Sequence, residues 1–191
     1  MTGALILRPN TSLLLIGFCA ILAIWPVPRE AAAQAPAAPA PAAAPAAALP
    51  TAQFLQTVSS MDAFEQRAGK VAQVMGSSLE VRKFSRTMVD DHAKNAAALM
   101  DGVSKAQVPA PTYDLSPSQT GTVKDLYAVA PRDFDRTYMT GEVASHEQAL
   151  EAAQAYAASG DNPAVKQIAA GLIPAIQRHL NDARTILGHV R

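Results

Sequence analysis

Glu65, His92, His146 and His179 place metal-binding lone pairs where a helix would otherwise bury carbon. Residues three and four apart share one face of a helix, and each of the four falls on an apolar stripe spaced in that way. His92 lies in the series Phe84, Met88, His92, Ala96, Leu99, Val103, and His146 in Met139, Val143, His146, Leu150, Ala153, Ala157. His179 lies among Val165, Ala169, Leu172, Ile176, Ala183 and Ile186, while Glu65 interrupts Phe54, Val58, Met61, Ala68, Ala72, Met75. Imidazole and carboxylate suit iron, manganese, zinc or copper, and helical cores build metal sites from facing side chains. Glu142 and Asp182 stand four before and three after their histidines, so each can flank one. Asp91 adjoins His92 but points about 100° away around the helix.

The same pattern admits a plainer chemistry. A buried imidazole needs only hydrogen-bond partners, so the four groups equally suit a non-enzymatic structural module whose inner polar residues fix the packing. A buried Glu65 must in either case meet a histidine, an arginine or a metal, or stay protonated. The Glu-x-x-His pattern of di-iron carboxylate helices is absent, because Val89, Val143 and Ile176 stand three before the histidines. Phosphate-binding glycine loops, Ser-His-Asp spacings and nucleotide motifs are also missing, so the reading leans away from an enzyme. Tyr138, Glu142 and His146 share one ridge, as a proton relay or as structural pairing. Phe134-Asp135-Arg136 reads as packing plus surface charge, and His189 as exposed.

These residues need long helices to hold them. Thr51 is placed to cap a first helix that Gly76 ends, and Ser77-Ser78-Leu79-Glu80 reads as a capping box opening a second, to about Lys105. Ser116-Pro117 starts a short helix to about Val129. Pro131 begins a third long helix through Ala158, and Asn162-Pro163 a fourth that runs to the C-terminus with Pro174 inside it. Four long amphipathic segments predict an all-α, four-helix bundle. The connection between the second and third exceeds the usual few residues. Either it crosses the length of the bundle, the ferritin-like arrangement with a short helix in the crossover, or that helix caps one end.

Composition bounds the rest. The chain has 191 residues, 49% of them apolar, and a formal net charge of zero, enough to bury a core but without the basic patch that nucleic acid requires. Arg8 followed by the apolar run from Leu13 to Trp25 and by Ala31-Ala32-Ala33 reads as a signal peptide, residues 1–33, with Gln34 as the new terminus. The run is too short for a comfortable membrane span, although a retained anchor is the alternative. Residues 34–50 form an Ala/Pro-rich linker, and 51–188 the helical domain. An exported or periplasmic protein with cell-envelope association is expected, with no membrane span after cleavage. The single cysteine, Cys19, would leave with the leader, so no disulfide or thiolate chemistry remains. Oligomeric state has no signature in the sequence.

Together, Phe84-Ser85-Arg86-Thr87-Met88-Val89-Asp90-Asp91-His92, Phe134-Asp135-Arg136-Thr137-Tyr138-Met139 with His146, and Leu172-Ile173-Pro174 with His179 resemble the bacterial domain-of-unknown-function 4142 family. The likeness covers about Thr51 to Leu187. It implies a ferritin-like fold and an exported protein, and it carries no assigned activity. The family's recurrent positions fall on Asp91, His92, Phe134, Asp135, Tyr138, His146, Pro174 and His179. Ser145 stands where an acidic residue is common in similar sequences, which departs from a second Asp-His pair.

Overall fold

The computed structural model describes residues 48–190. The expected leader and all but the last three residues of the expected linker lie outside them. The described chain is helical: α1 (Thr51–Met75), α2 (Leu79–Lys105), α3 (Pro117–Leu126), α4 (Pro131–Ser159) and α5 (Pro163–His189). Among the described residues no helix is long and apolar enough to cross a membrane.

Local chemistry sets the helix ends. Asn162 accepts hydrogen bonds from the amides of Ala164 and Val165 ahead of Pro163, satisfying two orphan donors of α5. Ser116 and Gln119 form a complete capping box on α3. At α2 the cap is Ser78, which accepts from the Glu80 amide. The preceding amides of Ser77 and Ser78 are held by the Asp135 carboxylate of α4, at 2.9 and 2.7 Å. Asp135 is therefore a bracket for the α1–α2 turn rather than surface charge. Thr51 is likewise not a cap: it is the first helical residue after Pro50, and its amide and hydroxyl both donate to Asp161 in the α4–α5 turn. The C-terminus of α2 closes with Gln107 at φ 54°, its amide on the Ser104 carbonyl and the Val108 amide on that of Val103, a Schellman-type ending usually given to glycine.

The long helices form two antiparallel hairpins, α1–α2 and α4–α5, each packed along its length, with α2 against α5 and α1 against α4. Gly69 lets the first hairpin close: a Cβ there would lie 2.8 Å from Val89 Cγ2 and 3.0 Å from the Ser85 carbonyl oxygen. Two apolar clusters occupy opposite ends. One gathers Val71, Ala72, Val81, Phe84, Met88, Leu126, Phe134, Met139 and Ala183; the other gathers Phe54, Leu55, Leu99, Val103, Tyr156, Val165 and Ala169. The end of α2 thus lies with the end of α4, so these helices run in the same direction and the connection from 106 to 130 travels the length of the molecule. That connection is tied along α1 by the Ser59 hydroxyl on the Thr112 carbonyl at 2.8 Å and by Gln119 on the Ser60 carbonyl. The short helix then delivers Leu126 to the first cluster. Between the two clusters lies a layer of buried polar side chains.

Candidate metal centre

That middle layer contains Asp62 and Glu65 from α1, His92 from α2, Glu142 and His146 from α4, and His179 from α5. Glu65, Asp62, Glu142, His146 and His179 are all buried, and the His92 side chain is 12% exposed. One ring nitrogen from each of His92, His146 and His179 lies within 4.8 Å of the other two, and the ring centroids are 5.4 to 5.8 Å apart. Three helices from both hairpins therefore converge their imidazoles on one point.

Each ring is also held from behind. His92 Nδ1 is 2.8 Å from Asp62 Oδ1, His146 Nδ1 is 2.9 Å from the Glu142 carbonyl oxygen, and His179 Nε2 is 3.1 Å from Asp91 Oδ2. A carboxylate or carbonyl oxygen can only accept, so in each pair the ring nitrogen donates. The opposite nitrogen then carries the lone pair in a neutral ring: Nε2 of His92 and His146, and Nδ1 of His179. Both Nε2 atoms are buried and have no hydrogen-bond partner. Burying a polar atom unpaired costs roughly 1–3 kcal/mol. Asp62 is itself fixed, both of its oxygens accepting from Asn95 Nδ2 at 2.8 Å. An outer acceptor on the far nitrogen is what orients a histidine for a metal and makes it a better donor.

Charge follows the same division. Burial pushes the His179 imidazole down to about 4 against the pull of Asp91, with the neighbouring histidines adding to the fall. Burial lowers His146 as well. At His92, burial opposes protonation but is outweighed by the Asp62 hydrogen bond and by the charges of Glu65, Asp62 and Asp91, so its pKa is raised. Burial pushes Asp91 upward, yet its bonds to His179 and Lys94 prevail and hold it below the usual carboxylate range. His146 and His179 are thus neutral near pH 7, the form a metal requires.

A second group shares His146. Glu65, Glu142 and His146 each bring one atom within 4.8 Å of the others. Ser145 donates to Glu65 Oε1 at 2.8 Å, whereas Glu65 Oε2, Glu142 Oε2 and the Tyr138 hydroxyl are buried without partners. Burial and the adjacent Glu65 carboxylate raise Glu142 well above the usual carboxylate range, and burial with the same carboxylates raises Tyr138.

The four inner residues expected from the sequence therefore divide: the three histidines converge, and Glu65 joins the neighbouring group. Of the flanking residues, Asp91 backs His179 from across the helix interface, and Glu142 is buried beside Glu65. Asp182 is exposed and enters neither group. His189 is exposed, 3.3 Å from Glu80. Sequence reasoning missed Asp62, although Phe54, Val58, Asp62 and Glu65 follow the same four-and-three rhythm; Met61 was the more apolar choice. It also missed Asn95, one turn beyond His92.

A cavity of about 380 Å³ opens beside the trio in the seam between the hairpins, with all three histidines in its wall.

The family model described as Domain of unknown function (DUF4142) matches residues 36–186. No curated protein and no solved structure matches the chain.

Proposed function

The chain belongs to the DUF4142 family, and we propose that residues 51–188 form a ferritin-like four-helix bundle that binds one divalent transition metal through His92, His146 and His179. One observation carries this reading. Three imidazoles from three helices bring one nitrogen each within 4.8 Å of one another, and Asp62, the Glu142 carbonyl and Asp91 each accept from one nitrogen of a ring, leaving the other for a ligand. The remaining nitrogens of His92 and His146 have no partner within the protein, which leaves both lone pairs available to a ligand. A three-imidazole set suits zinc, copper or iron, and three protein ligands leave a coordination position for another molecule. When bound, such an ion would supply Lewis acidity there; the chain's part is to hold the rings and keep His146 and His179 neutral. The parallel run of α2 and α4, joined by a connection as long as the molecule, supports the ferritin-like arrangement.

Export and a cleaved leader complete the proposal, supported by Arg8, the apolar run to Trp25 and Ala31-Ala32-Ala33. A mature terminus at Gln34 by N-terminal sequencing, from an expressing cell's envelope fraction, is the expected result.

Metal binding is tested on the purified chain without an affinity tag, loaded with zinc, desalted and analysed for metal. One ion per chain, lost in His92→Ala, is expected. No retained metal, or retention unaltered by His92→Ala, would sink the proposal and leave a packing role for the trio.

A further inference from the structure

The cavity beside the histidines is amphipathic along its axis. Asp62, Asp91, Arg178 and the three histidines line its polar end. The helices then carry the wall toward the cluster that contains Phe54 and Tyr156, and there the lining turns mostly apolar, with Thr57 and Gln148 as its polar members. On α1 it passes from Asp62 to Val58 and Phe54, and on α4 from His146 to Ala149 and Ala153. On α5 it passes from His179 to Ile176 and Leu172. Because three helices agree in this, the gradient belongs to the cavity and not to one helix face.

Alanines at positions 98, 149, 152, 153 and 175 create much of the space. At the ~30 Å³ that one liquid water occupies, the volume admits roughly a dozen non-hydrogen atoms. The polar end has a cationic rim. Lys94 and Arg178 stand at the mouth, both exposed, 3.2 and 3.6 Å from the single Asp91 carboxylate, which His179 also engages. Lys94 and Arg178 are the permanent cations there and His179 is neutral; with Asp91 and Asp62 facing them, the charge that favours an anionic head is that of an ion on the trio, with the two cations beside it.

We infer that this cavity binds a medium-chain carboxylate, its alkyl tail against Phe54, Val58, Leu172 and Ile176 and its head where the three imidazoles and Arg178 meet. The inference rests on the metal-binding reading, since a carboxylate is a suitable donor for the position that three histidines leave open. Apolar walls with a few convergent polar groups are the general form of a small-molecule site. A cationic head would meet Lys94 and Arg178 and is disfavoured.

The test is calorimetric titration of the zinc-loaded, desalted full chain with decanoate, 1-decanol and decyltrimethylammonium, each below its aggregation concentration. Decanoate should bind at least tenfold more tightly than decanol, and the cation more weakly still. Removing zinc should weaken decanoate at least tenfold. Ala149→Phe, which fills the apolar end, should abolish decanoate binding with zinc content unchanged, and Ala152→Phe serves the same purpose if the first variant fails to fold. A chain that holds zinc but ignores decanoate, or that binds all three probes alike, overturns the inference while leaving the metal reading intact. A chain that retains no zinc in the metal assay fails the metal reading itself.

Discussion

The histidine trio and the Glu65–Glu142–Tyr138 group lie side by side, share His146, and are both buried, yet they are built differently. Every histidine ring is clamped at its far nitrogen, two of them by carboxylates that are themselves held by Asn95 or by Lys94. The carboxylate group has one such support, the Ser145 hydroxyl on Glu65, and leaves three oxygens without partners. Outer-shell support distinguishes a prepared donor set from polar groups that are merely enclosed. The trio is a donor set held in place from behind, as the proposed metal site requires, whereas in its neighbour burial and Glu65 raise Glu142 well above the usual carboxylate range.

Replacing the shared residue should have the largest effect. His146→Ala removes a donor, so zinc affinity should fall by more than the 10- to 100-fold that an outer partner's loss costs; competition against a chelator measures it. An affinity that survives would move the site away from the trio.

Acid should separate the two groups in the metal-free chain. His179 has its pKa pushed down to about 4 from an ordinary value near 6.5, so between those values the unfolded chain binds the extra proton. Stability falls with pH across that window, by up to about 3 kcal/mol from this residue, and His146 acts in the same sense. Glu142 has the opposite sign: raised when folded, it favours the native state as pH falls toward its ordinary range. His92 is raised, so its contribution is already complete below about 6.5. Urea unfolding at several pH values should show His179→Gln flattening the acid loss and Glu142→Gln steepening it. Parallel profiles would erase the distinction.

Smaller changes test the clamps. Asp62→Ala and Asp91→Asn should each weaken zinc about 10- to 100-fold while the three donors remain. Glu142→Gln keeps the shape of a carboxyl group already raised well above the usual range and should alter zinc affinity less than about threefold. A larger loss there would make the carboxylate group a participant.

The helices were legible because each signal is local. Gly76, Ser116-Pro117, Pro131 and Asn162-Pro163 mark ends that the structure places within a residue or two, and stripe spacing put His146, His179 and Glu65 inside. The backing contacts were not legible. Asp91 points away from His92 on its own helix, and only the packing of α2 on α5 turns that direction into a bond with His179. Asp62 hid behind Met61, and Asp135 reached the α1–α2 turn from another hairpin. The cavity has a compositional trace in its alanines, but a void depends on how far apart the hairpins sit, which no single stripe determines.

X-ray absorption on the zinc-loaded, untagged chain reads the donor atoms themselves and so distinguishes the histidine trio from the carboxylate group. The expected spectrum shows zinc ligated mainly by three imidazole nitrogens at about 2.0–2.1 Å. A shell of carboxylate oxygens with at most one imidazole would place the ion on Glu65 and Glu142 instead and contradict it.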